Sequence, residues 1–145
     1  MLNLSVMQLG HIVRFKTTDS TQAQAKCAEA SLELGKCTVF IADEQTLGKG
    51  TRGRRWISPP GVNIYATYAY LTSKSNDKYL INIPQVAAFS IVEVLRAYDL
   101  KPRYKWINDL LLSGKKVCGI LAESRECMKG DEWCRSIYLG IGLNV

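Results

Sequence analysis

The stretch Gln45-Thr46-Leu47-Gly48-Lys49-Gly50-Thr51-Arg52-Gly53-Arg54-Arg55-Trp56 constrains the fold more than any other part of the chain. It holds three glycines, one lysine and three arginines, no acidic residue, and neither helical nor strand periodicity. Glycine lets the backbone bend sharply and approach a ligand closely, and the cations cradle anionic oxygens. Residues 37–42 upstream form an apolar run too short for a helix and rich in β-branched and aromatic residues, a buried strand. Downstream, Ser58-Pro59-Pro60-Gly61 signals a turn, and residues 62–71 alternate as a long strand. In that strand Val62, Ile64, Ala66, Tyr68 and Tyr70 are expected to face the core, with Asn63, Tyr65 and Thr67 opposite, and Trp56 is expected to start the strand's core contacts. The chain must therefore build strands that present a cationic loop.

Two common anion-binding motifs fit these residues formally and fail on context. Gly48-Lys49-Gly50-Thr51-Arg52-Gly53 matches G-x-G-x-x-G, but a dinucleotide-binding loop must open a helix, and the Pro-Pro turn follows within five residues. A P-loop needs Lys-Ser/Thr where Arg54-Arg55 stand, and again a helix. What remains is a flexible loop between two strands that folds over an anionic ligand, set against a plain exposed basic hairpin loop. The net charge of +6 includes four positive charges from this loop, so the basic excess is mostly local. With no aromatic residues interleaved among the cations except Trp56, a nucleic-acid face is the weaker alternative.

At 145 residues and 47% hydrophobic content, the chain fits one globular domain. Its five cysteines form no C-x-x-C pair and there is one histidine, so no zinc-type spacing exists, and reduced thiols in the cytoplasm are the simplest expectation. No run approaches a membrane span, and residues 1–10 lack the features of a signal peptide.

Around the loop, residues 11–15 read as a first strand, and Thr17-Thr18-Asp19-Ser20-Thr21 offers N-caps for a helix. Ala23, Cys27, Ala30 and Leu34 form that helix's apolar stripe, Gln22, Lys26, Glu29 and Glu33 its wet side, and Gly35 its stop. Residues 73–78 are a polar connection. Ile83, Ala87, Ile91, Val94, Leu95 and Tyr98 mark the strongest helix, with Pro84 in its first turn. Residues 103–106 read as a strand and Ile107-Asn108-Asp109 as a turn. Residues 110–112 and 115–122 form a hairpin about Ser113-Gly114, Lys129-Gly130-Asp131 turns again, and residues 136–145 form the last strand. Hairpin strands with two helices of about 15 residues predict an α+β fold, a mixed, largely antiparallel sheet with helices packed on one face.

A second polar group is Lys105-Trp106-Ile107-Asn108-Asp109, with Lys116 beyond the turn. Lysine, amide and carboxylate there suit phosphate, ribose hydroxyls and Mg²⁺ respectively, while an ordinary turn is the plainer explanation of Asn108-Asp109.

Taken together, these segments resemble the catalytic domain of the biotin protein ligase family. Asp19-Ser20-Thr21-Gln22 is similar to the family's D-S-T-N, the cationic loop to G-R-G-R-R-G-R-x-W, and residues 58–63 to S-P-x-G-x-N. Residues 105–109 resemble K-W-P-N-D, residues 116–123 K-x-x-G-I-L-x-E, and residues 140–145 G-I-G-x-N-V. The resemblance implies the class II synthetase-like fold of biotin and lipoate ligases, and a two-step reaction through biotinyl-5′-AMP. Its substrates are biotin and ATP with Mg²⁺, and its acceptor is a lysine of a biotin carboxyl carrier protein. By match, Ser20, Thr21, Gln22 and Gln45 line the biotin site. Lys49, Gly50, Thr51 and Arg52 close over biotin and adenylate, Lys116 holds the carboxylate or phosphate, and Gly119 admits the ligand. Lys105, Asn108 and Asp109 attend the nucleotide, with Asp109 toward Mg²⁺. Lys116, Arg52 and Lys105 are the expected catalytic residues.

Lys49 and Thr51 stand where the family carries arginines. Lysine loses the bidentate fork and threonine the charge, so weaker retention of the adenylate is expected. Ile107 replaces the usual proline. The resemblance further implies a domain over residues 1–145 without a DNA-binding segment, lacking the later part of the catalytic domain and the small C-terminal β-barrel. No DNA or membrane partner is expected, and a homodimer is compatible. The competing readings are a lipoate ligase or octanoyltransferase, and a truncated biotin-binding module without activity.

Overall fold

The computed structural model describes residues 8–73 and 80–145. Among the described residues seven strands form one sheet: β1 (Gln8–Thr18), β2 (Lys36–Gln45), β3 (Asn63–Ser73), β4 (Arg103–Lys105), β5 (Asp109–Leu112), β6 (Lys115–Lys129) and β7 (Glu132–Asn144). They lie in the order β1-β2-β3-β7-β6-β5-β4, with β1 and β2 parallel and every other neighbouring pair antiparallel. The one parallel pair needs a crossover, supplied by helix α1 (Thr21–Cys27) and a 3-10 turn, Glu29–Ser31. Helix α2 is Ile83–Arg96. The mixed, largely antiparallel α+β sheet is as expected.

The helices divide between the two faces of the sheet instead of sharing one. The alternation of β7 shows why: Cys134 and Tyr138 join the cluster with Ala25 and Leu32 beside α1, while Leu139, Ile141 and Leu143 pack on the cluster with Ala88, Val92 and Leu95 of α2. A strand in the middle of a sheet serves two cores when both of its faces are apolar. Fully buried side chains such as Leu110 and Ile120 contribute about 1.5–3 kcal/mol each.

Both helices depart from their expected faces. Ser20 caps α1, its Oγ accepting from Ala23 N at 3.1 Å, but the helix stops after Cys27, well short of the expected 15 residues. Leu32 is the buried residue and Leu34 is 53% exposed, because the 3-10 turn redirects the chain before the stripe is complete. Gln22, expected on the wet side, is only 4% exposed. In α2 the buried positions are Ala87, Ala88, Val92 and Leu95, whereas Val94 and, beyond the helix end, Tyr98 are exposed, so the stripe is turned from the expected one.

β3 also corrects its expectation. Tyr65, Thr67, Ala69 and Leu71 form the closed face under α1; on the expected face Ala66 is buried with Cys37 and Val39 and Tyr70 packs beside them, but Ile64 and Tyr68 are exposed. The two-residue turn between β5 and β6 has positive φ at Ser113 and Gly114, as a type I′ hairpin requires. The polar connection at residues 73–78 lies, beyond Ser73, outside the described residues. Among the described residues no helix is long and apolar enough to cross a membrane.

Candidate active site

The chain leaves β1 at Thr18, turns at Asp19, and enters α1 under the end of β2. Thr46 N donates to Thr18 O at 2.9 Å and Leu47 N to Asp19 O at 2.8 Å, so the cationic loop is tied to this corner at its base. It is folded on itself more than a flexible hairpin would be: Gly50 N donates to Arg54 O at 2.7 Å and Trp56 N to Gly48 O at 2.8 Å. Between them a 3-10 turn, Thr51–Gly53, holds Arg52 at φ 57, in left-handed backbone. The Asp19 carboxyl accepts from Gln24, Ser20 N and Thr18. These bonds, led by that from Gln24, hold it below its usual range although burial opposes them.

Beneath the loop a chain of hydrogen bonds crosses from β2 to β6. Gln45 Oε1 accepts from Thr21 N at 2.8 Å and Thr21 Oγ1 at 3.1 Å, and Gln45 Nε2 donates to Ser58 Oγ at 2.9 Å. With the Thr21 proton on Gln45, the single hydroxyl proton of Thr67 is shared between Thr21 Oγ1 at 2.9 Å and Gln22 Oε1 at 3.1 Å. Gln22 Nε2 donates to Glu123 Oε2 at 2.9 Å and to Tyr138 O at 3.1 Å, and Glu123 Oε1 meets Lys26 Nζ at 2.8 Å. Satisfying every member of such a buried network fixes one arrangement, since an unpaired member would cost about 1–3 kcal/mol. This is why Gln22 is buried despite its polarity.

The floor is a trough of small residues. Gly119 faces Gly142 across β6 and β7, and Gly140 lies next to Thr67 of β3. A Cβ on Gly142 would come within 2.5 Å of Trp56 Cε2, one on Gly119 within 2.8 Å of Trp56 Cζ3, and one on Gly140 within 2.8 Å of Gln22 Oε1. Trp56 therefore does not start the core of β3; its indole lies in the trough, with Nε1 buried and without a hydrogen-bond partner among the described residues. Lys116 Nζ sits 5.0 Å from the Trp56 ring centroid and 2.8 Å from Asp109 Oδ1.

Two adjoining clefts result. The first, the smaller, is lined by Ser20, Thr21, Gln22, Gln45, Lys49, Gly50, Thr51, Lys116 and Gly119 together with Trp56 and Thr67. The second, the larger, is lined by Arg52, Arg54, Lys105, Trp106 and Asp109. They share Thr51, Asn108, Ile120 and Leu121. Every residue expected at the site lines one cleft or the other. Lys49, Lys116, Arg52, Arg54 and Lys105 are cations, and Asp109 is the single carboxylate among the lining residues. Asn108 is committed through Nδ2 to Ile120 O at 2.8 Å, which leaves its side-chain oxygen for a ligand. Asp109 opens β5 instead of lying in a free turn.

The expectations from sequence omitted Thr67, Trp56 and the glycines Gly140 and Gly142 as parts of the site. Thr67, a hydroxyl amid the apolar alternation of β3, was the available signal. A lone Asp109 suits one contact to a metal carried in by a phosphate ligand. Among the described residues no group of three His, Cys, Asp or Glu side chains could hold a resident metal ion.

Residues 14–144 match the Biotin/lipoate A/B protein ligase family. The chain is 33% identical over 142 residues to the bifunctional ligase/repressor BirA of Salmonella typhimurium, covering 97% of this chain and 42% of that protein. It is 34% identical over 131 residues to the biotin–[acetyl-CoA-carboxylase] ligase of Paracoccus denitrificans, covering 88% of this chain and 52% of that one. The biotin protein ligase of Aquifex aeolicus, solved in complex with biotin and ATP, superposes with a TM-score of 0.72 at 32% identity, over 94% of this chain and 53% of that chain. The chain thus spans about two fifths to one half of the length of these relatives.

Proposed function

Because this chain belongs to the biotin/lipoate A/B protein ligase family, we propose that it is a biotin protein ligase catalytic domain that activates biotin with Mg·ATP and passes it to a lysine of a biotin carboxyl carrier protein. The observation that carries the proposal is the meeting of a small polar cleft and a larger cationic one at Thr51 and Asn108. A neutral, hydrogen-bonding head group suits the first. A polyphosphate suits the second, where Arg52, Arg54 and Lys105 stand against one carboxylate.

In the first step the carboxylate oxygen of biotin attacks the α-phosphorus of ATP, the bond to the bridging oxygen breaks, and pyrophosphate leaves with the electron pair. Both reactants are anions, so the barrier falls when their charges are neutralised and their atoms aligned, and no protein nucleophile is required. Thr21, Gln45, Ser20 and Gln22 form the polar wall for the head group of biotin. Lys116, at the trough, takes the carboxylate and then the developing mixed anhydride. Arg52 and Lys105 take phosphate oxygens, Lys49, Gly50 and Thr51 close over the adenylate, and Asn108 and Asp109 attend the nucleotide and its Mg²⁺. Gly119 leaves the room in which Trp56 and Lys116 pack at the edge of the cleft. In the second step the carrier lysine's amine attacks the anhydride carbonyl and AMP leaves.

This reading takes the carrier protein as partner and places the reaction in the cytoplasm, where ATP is available and the five free thiols are stable. The test is transfer of labelled biotin to an apo carrier domain with Mg·ATP. Biotin-dependent transfer, lost on Arg52→Ala, supports it. Dependence on lipoate would assign the related ligase activity instead, and biotin binding without AMP formation would make the chain a binding module.

A further inference from the structure

Neither proposed step uses a cysteine. Two of the five are nevertheless placed opposite each other: Cys127 of β6 and Cys134 of β7 are direct register partners, two pairs from the Gly130 turn that joins the strands. Directly opposed residues of an antiparallel pair project to the same face with Cβ atoms about 4.5–5.5 Å apart. A disulfide needs them at about 3.5–4.5 Å, with Cα atoms about 4.4–6.8 Å apart. A shift of about an ångström in side-chain position therefore suffices, with the ladder intact.

The surroundings agree with the register. Cys134, 2% exposed, belongs to the cluster with Leu32, Leu71 and Tyr138, and the half-buried Cys127 packs against that same cluster. Cys127 Sγ lies 3.2 Å from the hydroxyl of Ser136, the next residue of β7 on that face. No other pair of cysteines meets in this way. Cys37 is partnered by Leu9 and Tyr70, Cys118 by Leu110 and Leu143, and Cys27 stands exposed on α1.

We propose that Cys127 and Cys134 are a redox modification site, closing to a reversible intramolecular disulfide under a peroxide-class oxidant. Cys127, the more exposed thiol, attacks the peroxide as the thiolate. The O–O bond breaks, giving a sulfenic acid and, after protonation, water. The Cys134 sulfur then attacks the Cys127 sulfur, the S–O bond breaks, and hydroxide leaves as a second water. Two electrons pass from the thiols to the peroxide. The bond sits six residues along β6 from Leu121 of the clefts, roughly 20 Å away. It braces the sheet end on which the 3-10 turn rests through Lys129 Nζ to Ala30 O at 2.9 Å and Tyr138 Oη to Glu29 Oε1 at 2.7 Å.

The experiment is peptide mapping of the whole folded chain after hydrogen peroxide, with alkylation of remaining thiols and digestion by trypsin. Cleavage after Arg125, Lys129 and Arg135 separates the two cysteines into different peptides. The expected result is those peptides joined, lighter than their sum by two hydrogens, and separated again by dithiothreitol. The exposed Cys27 reports that oxidant reached the protein. Cys127 and Cys134 still alkylated as free thiols when Cys27 is oxidised, or joined to other cysteines, would overturn the proposal. Cys127→Ser should abolish the joined peptide and also the rise in melting temperature that oxidation gives the unaltered chain; an equal rise in both would contradict it.

Discussion

Lys116 Nζ is held 2.8 Å from Asp109 Oδ1 across the β5–β6 pair, at the rim where the two clefts meet. The lysine is thereby fixed in place without being buried. Lys116→Ala is expected to lower adenylate formation by about 10²–10³-fold, the usual effect of removing one positioned donor to a developing charge. Melting temperature should hardly change, since partly exposed pairs contribute about 0–1 kcal/mol. Quench-flow or steady-state formation of AMP-linked product, read beside a thermal melt, separates the two effects.

The trough gives a steric prediction. Gly142→Ala would place a methyl group within 2.5 Å of the Trp56 indole, and the ring must leave the floor to admit it. We expect a change in tryptophan fluorescence, a loss of stability of about 1–3 kcal/mol and weaker biotin binding. An unchanged spectrum and unchanged affinity would mean that Trp56 does not lie where the structure places it.

Glu123 anchors the polar network through Gln22 and Lys26. Burial pushes its carboxyl up, but the hydrogen bonds and charge of Lys26 and the bond from Gln22 outweigh it, and the net shift is below the ordinary 4.5. A carboxyl lowered in the folded state adds stability that is fully present above 4.5 and is lost as pH falls through the lower folded value. Glu123→Gln should therefore melt below the unaltered chain at neutral pH. The gap should close on acidification below pH ~4.5; a gap that stays constant across this range would count against the assignment.

Thr51 lies at the junction of the clefts, within the closing loop. A guanidinium at this position adds a charged fork for phosphate oxygens that a hydroxyl cannot supply. Thr51→Arg is expected to slow release of the biotinyl adenylate. Equal off-rates for the two proteins, measured by trapping released adenylate, would remove the loop from any role in retention.

The sheet, its hairpins and many of the residues lining the clefts were legible in the sequence because each rests on local signals: the Ser113-Gly114 turn, the β-branched runs, and motif segments that keep their order. The faces of the elements were not. Gln22 looks like a wet-side residue until Glu123, a hundred residues away, satisfies its amide. Trp56 looks like core until the glycines of β6 and β7 open a trough for it. α1 is cut short because burial of Leu32 and the 3-10 turn override the apolar stripe. In each case a long-range contact decided what periodicity could not.

In the proposed reaction the two clefts act together, biotin in one and ATP in the other. Biotin-dependent exchange of labelled pyrophosphate into ATP reports the first chemical step alone, without a carrier protein. We expect exchange that requires both biotin and Mg²⁺, is not supported by lipoate, and falls by at least about 10²-fold in Lys116→Ala. Exchange that proceeds without biotin, or at full rate in Lys116→Ala, would contradict it.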